Sequence, residues 1–309
     1  MNTLSRRRRA LLASLASCAA AIPAASLRAI EYPRQDIRIV ISGTGDNSKR
    51  IGQVFQRQFP GARVISDLSA PFPKQRDLVF VAIGPAALSA VLSKNVEGAI
   101  LSVFTSSQAY RTILDSAPRR DGHVTAIYAE PSPTDQMQLI ASIFKRRVNV
   151  AVLNTEKTEH LVPTLRQAAT IAGLSLEIKR VGAEDDLNRA LNQVSQAAVI
   201  LAIPDTDIYN VENIRNTLIT SYRHNQGVIG FSVAMVKAGA LATTYSNIED
   251  IAVQVGELLD DFAGSGRLPA PQFPKYFRTT VNDSVARSLN LVVEDGTKEM
   301  ARRPHARAS

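Results

Sequence analysis

One cysteine, no tryptophan and four scattered histidines remove several kinds of chemistry from this 309-residue chain. Cys18 is the sole thiol, so everything beyond it lacks a disulfide, a thiolate nucleophile and a cysteine metal site. Stability then rests on packing, which a body of this length supplies. A zinc enzyme needs three or four His, Cys or carboxylate ligands at compact spacing. His123, His160, His224 and His305 stand apart, with no His-Glu-x-x-His. Aromatic residues are 6% of the chain, too few to force a rich stacking cage. Past residue 26 no stretch approaches eighteen apolar residues, so no membrane-spanning helix is expected there.

A single-signed charge field is also missing. The formal net charge is +8, which first suggests an anionic partner. Arg6–Arg9 carry four of those charges, and Lys298, Arg302, Arg303 and Arg307 carry four more near the end. The remainder, with 28 basic and 27 acidic residues, is nearly neutral. It offers no basic face for tracking phosphates, so no nucleic-acid partner is expected. Residues 294–309 read as a polar tail, of which Ala301–Ser309 is expected to be a disordered end rather than a binding arm.

What the chain does have begins with a leader. Four arginines precede an uncharged run rich in Ala, Leu and Ser from Ala10 to Ser26. This is a charged region, a short apolar region and small residues suited to cleavage, predicting export to the periplasm with residues 1–26 as a signal peptide. Two refinements stay open. Arg8-Arg9-Ala10-Leu11-Leu12 resembles a twin-arginine signal but also suits the general route. Leu15-Ala16-Ser17-Cys18 resembles a lipoprotein box, which would make Cys18 a lipidation site; ordinary cleavage near Ala24–Ser26 would discard it.

Beyond the leader, β-rich runs alternate with helical periods. Strands are predicted at Ile37–Ser42, Arg63–Ser66, Asp77–Ile83 and Gly98–Phe104, with helices at Ser48–Phe59 and from Pro85 to about Leu92. The pattern restarts at Val124–Tyr128. Strands follow at Val148–Leu153, Ser175–Val181, Ala197–Ile203, Gly227–Phe231 and Ala240–Tyr245. The intervening helices are Ser132–Phe144, Glu159–Ala172, Asp185–Gln193 and Asn213–Arg223, and Ile248–Phe262 closes the series. Repeated βα units predict an α/β fold of two Rossmann-like lobes, each a parallel sheet covered by helices.

Two catalytic patterns are incomplete. Gly230-Phe231-Ser232-Val233-Ala234 hints at a serine nucleophile elbow, but only His305 follows it. Gly43-Thr44-Gly45 after the first strand, with Asp67 further on, hints at a dinucleotide site. The third glycine is replaced by Ser48, and the bland alternative is a strand turning into its helix. No cofactor and no enzymatic activity are expected; a secreted nucleotide-dependent oxidoreductase is the alternative.

From about Thr125 the chain resembles the ABC transporter substrate-binding proteins of the tryptophan/tyrosine-binding type, which are type I periplasmic binding proteins. The resemblance lies in Thr125–Gln136 (TAIYAEPSPTDQ), Leu201–Asn210 (LAIPDTDIYN), Val228–Ser246 (VIGFSVAMVKAGALATTYS) and Leu268–Leu291. Val81–Leu88 (VAIGPAAL) carries it into the first half. There are two departures. Leu68–Arg76 lacks the usual crossover helix, and Phe104-Thr105-Ser106 stands where an acidic residue often follows the fourth strand.

The resemblance implies a hinge of three crossings, near Thr125–Ala129, Gly239–Tyr245 and Gly266–Phe273. The first lobe is then 33–122 with 240–264, and the second 124–239 with 267–293. It implies capture of a small amino acid-like or apolar ligand between lobes, by a monomer serving a membrane permease or a sensor. Ligands of this architecture sit outside the carboxyl ends of strands. That nominates Ser42, Gly43, Thr44, Gly84, Pro85, Phe104 and Thr105 in the first lobe, and Asn154, Asp205, Tyr209, Phe231, Ser232 and Tyr245 in the second. For Asp207 and Asn210, ligand contact and helix capping stay open.

Overall fold

The computed structural model describes residues 36–43, 45–118 and 123–305. The first unit runs β1 (Ile37–Ile41), α1 (Asp46–Gln58), β2 (Arg63–Ile65), β3 (Val79–Ile83), α2 (Pro85–Ser93), β4 (Ala99–Thr105), α3 (Ser107–Ser116) and β5 (Val124–Tyr128). Its five strands form one parallel sheet in the order β2-β1-β3-β4-β5. Alternation along each strand supplies two apolar faces. Ile39, Val81 and Leu101 pack under α1, while Val40, Phe80 and Ile100 pack under α2. No helix forms in 66–76; instead Phe72 fills that place, stacked on Phe80 at 6.3 Å.

The second unit continues with α4 (Pro133–Phe144), β6 (Asn149–Asn154), a 3-10 turn (Glu156–Leu161), α5 (Val162–Ile171), β7 (Ser175–Arg180), α6 (Leu187–Gln193) and β8 (Val199–Leu201). It goes on through α7 (Val211–Arg223), β9 (Gly227–Ile229), α8 (Val233–Ala238), β10 (Ala242–Tyr245), α9 (Ile248–Ser265), β11 (Arg278–Val281), α10 (Asp283–Ser288) and α11 (Asp295–Lys298). The second sheet has the order β11-β10-β9-β8-β6-β7, parallel except for the β10–β11 pair.

Two sequence assignments need correction. The stretch 240–264 was expected wholly in the first lobe, yet β10 pairs with β9 and β11, and Leu241 and Ala242 sit in the second core. Only α9 returns to the first lobe, laying Ile251, Ala252, Val255 and Leu258 against α1. The crossing therefore falls at 246–247, after the strand rather than before it.

Ala301–Ser309 was expected to be a disordered end. Its described part, 301–305, is instead fastened: Phe277 and Arg302 exchange two backbone hydrogen bonds, at 2.9 and 3.0 Å. The Arg302 guanidinium reaches the Lys275 carbonyl at 2.9 Å and buried Asp135 at 3.1 Å, and lies over the Phe277 ring. Thr279 Oγ1 donates to the Met300 carbonyl, and Thr297 and Ser142 hydroxyls bond at 2.6 Å. These anchors are polar and come from single residues, so no apolar period marked them in the sequence.

Three connections join the sheets: 129–132, 246–247 and 266–277. The third is held along its length by α9. Lys275 N–H and Phe273 O bond Gln254 of α9, the Tyr276 hydroxyl bonds Glu257, and Arg278 pairs with Asp250. Within the second unit, buried Gln136 of α4 fixes the ends of β9 and β10: its amide donates to Gly230 O at 2.6 Å and accepts from Thr244 N–H at 2.8 Å.

Candidate functional site

Three neighbouring strands of the first sheet end in left-handed backbone. Gly43 (φ 83°), Gly84 (φ 84°) and Phe104 (φ 56°) follow or end β1, β3 and β4. Glycine takes this conformation without steric cost, but phenylalanine does not. Phe104 is held there by a bulge between Val103 and Thr105 and by edge-on packing against Phe55 at 6.3 Å. A strained, half-buried aromatic at a strand end marks a site where the fold imposes a side-chain position. Gly45 and Gly84 cap α1 and α2 without any side-chain acceptor, so first-turn N–H groups stay available at this edge. The Ser42 carbonyl accepts from the Ser48 hydroxyl, and Gly84 N–H donates to Val103 O. Pro85 occupies the first turn of α2 and is exposed. Thr44 lies outside the described residues.

Thr105, although at the same edge, turns inward. Its hydroxyl accepts from Ser102 and its carbonyl from Ala129 N–H, and the residue is buried. It supports the hinge and offers a ligand nothing.

In the second sheet the expected contacts divide. Asp205 is 1% exposed and fully occupied. Its Oδ2 accepts from Thr155 N–H (2.9 Å), Thr155 Oγ1 (2.8 Å) and Thr158 Oγ1 (2.6 Å), and Oδ1 accepts from Asp207 N–H (3.1 Å). The carboxylate thus ties the end of β8 to the turn after β6, and the expectation of a ligand contact is withdrawn. Tyr209 is core: it packs edge-on to Phe231 at 6.1 Å, and burial, with Asp205 nearby, pushes its phenol pKa up. Asn210 caps α7 through Glu212 and Asn213 N–H, and Asp207 pairs with Lys157 at 2.8 Å. Asn154 is buried, donating to Thr155 O and Glu159 Oε2. Phe231 and Ser232 remain half-buried at the end of β9, where the Ser232 hydroxyl caps α8. Tyr245 is half-buried at the end of β10, opposite Arg278.

The lobes touch across these edges. Thr206 N–H, after β8, donates to Gln108 Oε1 in the first turn of α3 at 3.2 Å. Beside this contact a cavity of about 480 Å³ opens between α3 and the 3-10 turn. Glu130, on the first crossing, is 4% exposed and accepts twice from Ser107 N–H, at 2.9 and 3.2 Å. Burial raises its pKa, opposed by the Ser107 hydrogen bonds. An acid therefore does sit beyond β4, supplied from the crossing rather than from the strand. Gln108, Glu130 and His160 were not nominated from sequence; Ser106-Ser107-Gln108 directly after a buried strand was the available signal.

Among the described residues no group of three His, Cys, Asp or Glu side chains is placed to hold a metal. Asp67, the acid of the hinted dinucleotide site, accepts instead from Ser69 N–H and hydroxyl within its own exposed loop. No helix of the described residues is long and apolar enough to cross a membrane.

No protein-family model matches the chain, and neither does any curated protein. Solved structures do. A ligand-free, open substrate binding protein with adhesive properties from Clostridium difficile superposes with a TM-score of 0.62 at 13% identity, over 84% of this chain and 96% of its own. An ABC domain in complex with L-Trp from Streptococcus pneumonia gives 0.55 at 14%, over 84% and 96%. The fold is that of the type I periplasmic binding proteins. A conserved domain protein from Vibrio cholerae matches similarly, at 0.53 and 15% over 85% and 97%. In open α/β sheets ligands sit outside the carboxyl ends of the strands, the edges described above.

Proposed function

We propose that this is an exported, non-enzymatic solute-binding protein that closes two lobes on a small molecule. The observation that carries the reading is the contact of Gln108 with Thr206, which brings the carboxyl edge of one sheet against that of the other. A cleft of this kind, spanned by three connections, suits hinge closure around a ligand. Its open wall is Gly43, Gly84, Pro85 and Phe104 on one side and Phe231, Ser232 and Tyr245 on the other. The L-Trp held by the Streptococcus domain supports a small solute as the cargo. Arg6–Ser26 supports delivery to the periplasm, where the protein would hand its ligand to a permease or a sensor.

Native mass spectrometry of protein purified from its own host tests this. The expected species lacks the leader and carries a co-purifying small molecule; a lipid-bearing Cys18 at its N-terminus would select the lipoprotein form. A species retaining Met1–Ser26, or a redox nucleotide released on denaturation, would sink the reading.

A further inference from the structure

The outer strands of the two sheets are β2, β5, β7 and β11. An outer strand presents unpaired N–H and C=O groups, and folds protect such edges by keeping them short, bulged or covered. β2 is only three residues long. β5 is covered by the third connection, with Tyr128 N–H donating to Gln272 O and Gln272 N–H to Ala126 O, both at 2.9 Å. β11 is flanked by the C-terminal segment, through the Phe277–Arg302 pair and the Thr279–Met300 bond. β7 has no such protection. Its six residues, Ser175–Arg180, contain no proline and run in unbroken parallel register along Asn149–Asn154. No strand pairs with its outer side among the described residues.

The ladder to β6 decides which backbone groups face outward. Ser175 N–H donates to Val148 O at 3.0 Å, and Val181 N–H donates to Asn154 O at 2.8 Å. Along a parallel strand, alternate residues turn their N–H and C=O to the same neighbour. Ser175, Glu177, Lys179 and Val181 therefore bond β6, while Leu176, Ile178 and Arg180 point both groups away from the sheet. Side chains alternate too, but between the two faces. Leu176 and Ile178 pack on the core beneath α5, so Glu177 and Lys179 stand on the opposite face. There Glu177 accepts from Asn149 Nδ2 at 3.1 Å.

This edge is complementary to itself. A second copy related by a two-fold axis lays its own β7 alongside in the antiparallel sense, as an isologous contact requires. With the axis at Ile178, outward groups meet outward groups. Ile178 faces the second copy's Ile178 and exchanges both backbone bonds with it, and Leu176 does the same with the second copy's Arg180. Glu177 then lies opposite the second copy's Lys179 on both sides of the axis. These are the pairs without backbone bonds, where side chains approach most closely. Moving the axis to Glu177 or Lys179 sets that charge against its own like, which is destabilising. We propose that β7 is the interface of a homodimer, in which two copies join their second sheets edge to edge across a two-fold axis at Ile178. The proposal stands independently of ligand capture.

Sedimentation equilibrium of the protein purified from its own host, over a wide range of concentration, tests this. The mass is expected to rise to twice that of one chain. Glu177→Lys surrounds the axis with cations alone and should weaken the dimer by about ten- to a hundredfold. Adding Lys179→Glu restores the alternation of charge and should recover it. Arg180→Pro removes an outward N–H without disturbing the ladder to β6, a place where an edge strand tolerates proline, and should abolish association. Melting curves report whether each variant folds. Amide hydrogen exchange needs no variant: Leu176, Ile178 and Arg180 should exchange fast in dilute protein and slowly in concentrated protein, with Glu177 and Lys179 protected in both. A one-chain mass at every concentration overturns the proposal and leaves the monomer that the resemblance implies. A dimer indifferent to Glu177→Lys and Arg180→Pro in folded variants overturns it as well. So does slow exchange of the outward amides in a monomer, which would mean that this edge is covered by something other than a second copy.

Discussion

Replacing Asp205 by alanine should damage folding rather than recognition. Four donors converge on that carboxylate, three of them on Oδ2, and the residue is 1% exposed. Hydrogen bonds to a charged acceptor contribute more than neutral ones, and the donors left behind have no water to turn to. Removing one side of such a network typically costs about 3–5 kcal/mol. For a chain of this size that lowers the melting temperature by roughly 10 °C. Asp205→Asn separates charge from shape. Its carbonyl oxygen can keep the three Oδ2 bonds, but its amide nitrogen then faces the Asp207 N–H, one donor against another, for a loss of about 1–2 kcal/mol. Urea unfolding of the three proteins reads both steps, with unchanged m-values as the check on two-state behaviour. Asp205→Ala within about 1 kcal/mol of the parent, with ligand affinity lost, would refute the argument and return the carboxylate to the cleft.

Two further perturbations follow from the geometry. Phe104→Ala should be less stable than Phe104→Gly by about 1 kcal/mol, because alanine inherits the left-handed backbone and glycine is released from its cost; equal urea midpoints would deny the strain. Arg302→Ala leaves Asp135 buried without its cation, at a cost of about 1–2 kcal/mol given the half-exposed arginine. Burial already holds the Asp135 pKa above its ordinary value against the pull of Arg302, so losing that pull raises it further. The folded state then binds the proton more tightly than the unfolded one, so the deficit should be complete at neutral pH and shrink as pH falls through the raised pKa; a deficit that grows on acidification would contradict this.

The parallel sheets were legible because buried strands between helical periods announce themselves locally: Val79–Ile83 and Val150–Leu153 are apolar runs bounded by turn residues. Sheet membership was not, since β10 reads the same whether it pairs with β9 or with a strand of the other lobe. The helix α3 was passed over although Ser106 caps it and Tyr110, Ile113 and Leu114 have helical spacing. The polar loop 204–210 looked like a ligand site because polar residues followed a buried strand. Which way Asp205 turns depends on Thr155 and Thr158, some fifty positions earlier, and no local pattern records that.

The return of α9 to the first lobe bears on how the chain acquires its structure. Ile51, Val54 and Phe55 of α1 find their apolar partners in Ile251, Val255 and Leu258, about two hundred residues later. A nascent chain that has reached residue 118 has made every described strand of the first sheet but β5, and still has nothing to cover that side of α1. Its core closes only after the whole second sheet but β11 has been synthesised. Contacts this distant in sequence slow folding, because the intervening loop must be closed before they contribute. The N-terminal half expressed alone is therefore not a smaller binding domain but an incomplete one, with an apolar helix face exposed and prone to aggregation.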